Sequence, residues 1–137
     1  MSCFGSPTHH SVSMNLLFPP LIDFLSSMPE ISVSQQPDKI IVFLHQEEVH
    51  DIKIHLEIKG GYLVAEAFFP PNASMMERLL EVSGSPDFSC KFGKERNRYV
   101  VRRNCEIKRV TPDDLHLSIL EVISDVSQVN DVLMGEE

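Results

Sequence analysis

The sequence has no tryptophan, two tyrosines and three cysteines. Cys3, Cys90 and Cys105 show no CxxC spacing, so neither a zinc ribbon nor a thioredoxin-type redox motif is present. An odd count also argues against a fully cross-linked secreted domain. Cys90 and Cys105 could face each other across a hairpin, which leaves a disulfide there as an alternative to the expected reduced thiols. Long apolar runs are missing: stretches such as Leu16-Leu17-Phe18 and Ile40 to Leu44 fall far short of the roughly 20 residues of a membrane-spanning helix. No basic segment followed by an apolar stretch opens the chain, so no secretory signal is read and the cytosol is expected. Glycine is scarce, and Gly60-Gly61 is not followed by a helix, which rules it out as a phosphate loop. GxSxG and HExxH are absent. Carboxylates are plentiful, but no spacing pairs two of them as acid and base. No catalytic residue is assigned, and the chain is not read as an enzyme.

The 137 residues fit one domain, and a hydrophobic content of 42% is too high for a disordered chain. Residues 1–14 carry Ser, Pro, Thr and two His without periodicity and read as a flexible leader, leaving 15–137 as a single domain. The net charge is −8, unevenly placed. Residues 91–109 hold Lys91, Lys94, Arg96, Arg98, Arg102, Arg103, Lys108 and Arg109 against only Glu95 and Glu106, a basic segment in an acidic chain.

A first helix is expected to start near Pro19-Pro20 and run through Leu21, Ile22, Phe24 and Leu25 to about Met28, where Pro29 helps end it. Ile40 to His45 follows the turn signal Pro37-Asp38 and reads as a strand, with the next turn at Glu47-Glu48. Ile52 to Lys59 alternates apolar and charged residues over its whole length, the pattern of a strand with one buried and one wet face. Gly60-Gly61 supplies a two-residue hairpin turn, and Tyr62 to Phe69 returns. Asn72 caps a helix over Ala73 to Val82. Phe88 to Phe92 and Arg98 to Val110 form a second strand pair that turns near Lys94 to Asn97. Thr111-Pro112-Asp113-Asp114 then opens a helix whose stripe is Leu115, Ile119, Val122, Val126, Val129 and Leu133, with Ile123 beside it. The order is α-β-β-β-α-β-β-α, and the segregated elements indicate an α+β fold on an antiparallel sheet with the helices packed against it.

His45, His50 and His55 are spaced by five, with Glu47, Glu48 and Asp51 nearby. Residues five apart on a strand point to opposite faces, so half-exposed strand histidines are expected and no metal is assigned. The basic segment gives an alternative reading, a nucleic-acid or polyanion site in which Tyr99 or Phe92 stacks on bases. The acidic remainder opposes it, and a solvated face is expected instead. Apolar side chains are in surplus. Phe18, Leu21, Ile22, Phe24 and Leu25 come early, and Met75, Met76, Leu79 and Leu80 crowd one short helix, which suits an adaptable contact surface.

Lys39 to Phe69, Met75 to Val82 (MMERLLEV) and Thr111 to Leu133 together resemble the class I chaperones of type III secretion systems in element order, lengths and hydrophobic pattern. These are small acidic bacterial cytosolic proteins. The resemblance implies a chaperone that keeps the N-terminal segment of a secreted effector soluble and secretion-competent without ATP hydrolysis, cofactor or membrane. It further implies a homodimer with Met75, Met76, Leu79 and Leu80 at the two-fold contact. Leu21, Phe24 and Leu25, with Val42 and Leu44 of the first strands, become the candidate effector contacts.

Overall fold

The computed structural model describes residues 18–45 and 52–135. The expected leader, Leu16-Leu17, the turn at Glu47-Glu48 and His50 lie outside them. The first helix, α1, is described over 18–26, with Pro19 and Pro20 in its first described turn. It closes by tightening: the Ser27 and Met28 N–H groups reach back three residues, to the Phe24 and Leu25 carbonyls, at 3.3 and 3.1 Å.

Four strands follow, β1 (Ile31–Gln36), β2 (Lys39–Leu44), β3 (Ile52–Lys59) and β4 (Tyr62–Phe69). The last three are the expected meander, and β1 is an addition to it. Its Ser and Gln residues carry little apolar periodicity, and pairing with β2 is what makes it a strand. Gly60 and Gly61 have φ of +55° and +85°, which the tight β3–β4 turn requires. Asn72 caps as expected, its side chain accepting from the Ser74 N–H at 3.2 Å. The capped turn is a single 3₁₀ turn, Ala73–Met75, ahead of the helix α2 (Met76–Ser83). The hairpin of β5 (Lys91–Glu95) and β6 (Arg98–Glu106) turns through Arg96 at φ +55°. The helix α3 (Pro112–Leu133) is capped by Thr111 Oγ1, which accepts from the Asp114 N–H at 3.1 Å.

All six strands form one antiparallel sheet in the order β1-β2-β3-β4-β6-β5. The α+β class and the order of elements are therefore as read, with one strand more before α2. The core lies between the sheet's inner face and the helices. Ile40, Val42, Leu44, Ile54, Leu56, Leu63, Tyr99 and Val101 come from the strands, and Leu21, Leu25, Leu79, Leu115, Ile119, Val122, Val126 and Val129 from the helices. α3 packs on β4, β6 and α2. Ala65 and Ala67 are fully buried on β4, and these small side chains let the helix backbone come close. At the end of α3 the buried position is Val132, with Leu133 half-buried beside it. Among the described residues no helix is long and apolar enough to cross a membrane.

Among the described residues one charged side chain is buried in the helix-facing core. Asp125 is buried on α3, and its carboxylate accepts from the backbone N–H groups of Ser89 and Cys90, both at 2.9 Å, and from Ser89 Oγ at 3.2 Å. It thereby ties the link between α2 and β5 to the last helix. Asp125→Ala should cost about 2–4 kcal/mol, because the buried Cys90 N–H and the part-buried Ser89 N–H lose their acceptor; urea unfolding measures this, and a loss under about 1 kcal/mol would mean that water replaces the carboxylate.

Candidate protein-interaction surface

The residues expected at the effector contact divide sharply. Leu21, Leu25, Val42 and Leu44 are buried in the core, under the chain's own helices. They cannot touch a partner while the domain is folded, which corrects the sequence reading. An apolar residue on an amphipathic helix or strand satisfies core and interface alike, and only packing separates the two roles. Phe24 is half-exposed, its ring stacked on His116 of α3 at 4.2 Å and 8°. The expected dimer contacts divide too. Leu79 is fully buried and belongs to the core, whereas Leu80 is 57% exposed; Met75 and Met76 are half-buried against the core.

Among the described residues β1 presents an open edge, since no further strand pairs with its outer side. The His45 N–H donates to the Glu30 carbonyl at 2.9 Å, and antiparallel bonding alternates in steps of two from there. Ser32, Ser34 and Gln36 therefore bond to β2, and the N–H groups of Val33 and Gln35 point away from the sheet. β1 holds no charge and no proline, so nothing on it discourages a further strand. The opposite edge, β5, carries Lys91, Lys94 and Glu95 around Gly93 and is defended.

The sheet face turned away from the core is the second surface. β3 follows its expected alternation there with Lys53, His55 and Glu57. β2, β4 and β6 do not: Ile41 and Val64 are 9% exposed and Val100 3%, yet none of the three belongs to the core cluster. Half-buried Phe43 and Phe68 lie on the same face. The expectation of one buried and one wet face, read for Ile52 to Lys59, holds there, and β2, β4 and β6 differ from it. The signal was legible, since Ile40-Ile41-Val42-Phe43 and Tyr99-Val100-Val101 are apolar at both parities.

Charges on this face are mostly paired. Arg102 donates to Glu66 at 2.6 Å and to Glu95 at 3.0 Å, and Lys59 meets Glu57 at 3.2 Å. Two cations lie on aromatic rings instead. The Arg98 guanidinium is 3.8 Å from the Phe68 centroid, and Lys53 Nζ is 6.0 Å from that of Phe43. His55 is tilted against Phe68 at 5.9 Å. Burial, then the nearby Lys39, holds its imidazole below the ordinary value.

The basic hairpin offers less to a polyanion than its composition suggests. Arg102 is held by two glutamates. Arg103 lies on the inner parity of β6 and bonds to Glu121 of α3 and to Ser89 Oγ, the latter at 2.8 Å. Tyr99 is buried, its hydroxyl accepting from the Asn72 N–H at 3.1 Å, and Phe92 packs against the core, 5.4 Å from the Tyr99 ring. Neither ring is placed to stack on a base, which corrects the alternative reading. Sequence reading also missed Arg103 and Asp125 as structural groups. Their signal was an ionised residue at an apolar phase: Arg103 between Val101 and Cys105, and Asp125 between Val122 and Val129.

His45 Nε2 lies 2.7 Å from Ser32 Oγ, and His55 faces Ile41, so these two histidines do not meet. Among the described residues no group of His, Cys, Asp or Glu could hold a metal. An open recess of about 260 Å³ lies between β6 and the start of α3, lined by Arg103, Asn104, Cys105, Glu106, Val110, Asp114 and Ser118. Its arginine is already committed to Glu121, and its carboxylates oppose an anionic ligand. Cys90 and Cys105 are free and buried. Burial, reinforced by the Asp125 carboxylate, pushes the Cys90 thiol far up, and burial also raises Cys105.

Set against protein-family models, curated proteins and solved structures, the chain matches none of them. The surface alone therefore carries the functional argument. The state of its thiols is directly measurable: in a Cys3→Ser variant, neither Cys90 nor Cys105 should react with Ellman's reagent at pH 8 until urea unfolds the chain, and rapid reaction of the native protein would contradict the burial.

Proposed function

We propose that this chain is a secretion chaperone of the class I type III kind, a bacterial cytosolic dimer that holds the N-terminal segment of an effector extended and soluble without ATP. The observation that carries the reading is the open, uncharged edge of β1. An extended segment can add there as a seventh strand, with main-chain hydrogen bonds giving affinity and alternate side chains giving selectivity. Half-buried Val33 on β1 and Ile22 and Phe24 on α1 supply apolar contacts. The buried set Leu21, Leu25, Val42 and Leu44 acts beneath them as the platform that keeps β1 and α1 in place. Such binding needs no catalytic group, since the segment is kept from aggregating simply by having its backbone paired. The element order, α then strands, α, two strands, α, supports the same class.

For the dimer, Leu80 on α2 is the side chain to test, with Met75 and Met76 beside it. Leu79 is excluded, because a charge there would unfold the domain rather than separate subunits. In light scattering the protein should have twice its 15.5 kDa mass, and Leu80→Glu should give a folded species of the single mass; a dimer that survives the substitution rejects α2 as the contact. Co-expression with an effector fragment should yield a complex in which a stretch of the effector resists proteolysis. Gln35→Pro removes one outward N–H of β1 while sparing its bonds to β2, so it should weaken that complex at least tenfold. An unaffected complex would show that the edge is not used.

A further inference from the structure

We propose that the outer sheet face is a second docking site, for an acidic protein segment that carries aromatic or large apolar side chains. The inference goes beyond strand addition at β1, because it concerns side chains on β2, β3, β4 and β6 rather than an edge backbone. Its basis is where unpaired positive charge is left in a chain of net charge −8. Lys39 stands opposite Glu57 on the neighbouring strand, Lys59 is bonded to Glu57, and Arg102 lies between Glu66 and Glu95. Lys53 and Arg98 have no acidic partner among the described residues. Both are exposed, and each rests on a phenyl ring of the same apolar strip.

The register brings these groups together. Phe43 faces Lys53 across β2 and β3, and Phe68 faces Val100 across β4 and β6. His55, which faces Ile41 on β2 and Glu66 on β4, has its ring tilted against Phe68 at 5.9 Å, so Phe68 lies beside β3 on the same face. With strands about 4.8 Å apart, β2 and β4, which carry Phe43 and Phe68, lie roughly 10 Å apart on either side of β3. Lys53 and Arg98 stand over these half-buried rings, on hand to meet carboxylates that neighbour an apolar side chain in the partner's sequence. Ion pairs formed over apolar ground are partly desolvated and therefore stronger than pairs in open water.

The charge pattern favours a protein segment over a nucleic acid. A polynucleotide places a negative charge at every residue, and Glu57, Glu66 and Glu95 on the same face, backed by the net negative charge, repel such a ligand. A few carboxylates spaced by apolar side chains match two isolated cations on an aromatic strip.

The test uses the full chain and a fluorescein-labelled peptide alternating glutamate and phenylalanine, read by anisotropy at low and high salt. The peptide with lysine in place of glutamate and an oligo-dT strand serve as competing ligands. The acidic peptide is expected to bind saturably and to weaken with salt, the lysine peptide to fail, and oligo-dT to bind at least tenfold less tightly. Lys53→Glu with Arg98→Glu should reduce acidic-peptide affinity roughly tenfold or more. Lys94→Glu with Lys108→Glu, the same charge change away from the strip, should leave it within about twofold, as should Gln35→Pro. Circular dichroism and urea unfolding establish that each variant is folded. The proposal is overturned if the acidic peptide does not bind, if oligo-dT binds more tightly, or if the two charge-reversal pairs act alike. Loss of binding in Gln35→Pro alone would place the peptide at the β1 edge and overturn it as well.

Discussion

The seam between β4 and β6 joins two pieces of sheet that lie far apart in the chain. Phe69 pairs with Tyr99 and Tyr62 with Glu106, so the loop closed here contains all of α2 and β5. Closing a loop of this length is entropically costly and must be offset by contacts on both sides of the seam. On the inner side Leu63 meets Cys105 and Ala67 meets Val101, and α3 lies over the join. On the outer side Phe68 meets Val100, and Glu66 meets Arg102. Without this pairing, β1 to β4 would form a sheet with an exposed apolar edge, and β5–β6 would be an isolated hairpin, which is marginal in water.

Helices cover the inner face of this sheet, which leaves the other face and both edges to evolve separately. β5 is charged and closed to further pairing, whereas β1 is neutral and open. The outer face is stitched by ion pairs where glutamates are available and capped by cations on rings where they are not. Asp125 and Arg103 hold the link before β5 and the middle of β6 against α3, so the hairpin is fixed from the helical side. The core and the exposed surfaces are carried by different residues, which is why an apolar leucine on a helix or strand does not by itself mark a surface position.

How much of this was readable depends on the range of the interaction. The β3–β4 hairpin was legible because Gly60-Gly61 and the alternation of Ile52 to Lys59 are local signals. α3 was legible because Thr111, Pro112 and the apolar spacing that follows specify start, direction and buried face together. β1 was not, since Ser-Val-Ser-Gln-Gln becomes a strand only when β2 lies beside it. Leu21, Leu25, Val42, Leu44 and Leu79 were legible as apolar and periodic, but periodicity reports that a side chain is buried and not what buries it. Arg102 and Arg103 read as free positive charge because their acids, Glu66 and Glu121, sit on other elements.

The sequence by itself determined the α+β class, the order of its elements apart from β1, the hairpin turns and helix caps, and the absence of known catalytic motifs. These follow from backbone preference and short-range pattern, which act between residues a few positions apart. Tertiary structure alone decided which apolar residues form the core and which remain at the surface and, among the described residues, which strand edge is open and which cations have no acidic partner. Each of those outcomes depends on partners brought in from distant parts of the chain, and burial and charge pairing are properties of the neighbours a residue acquires on folding.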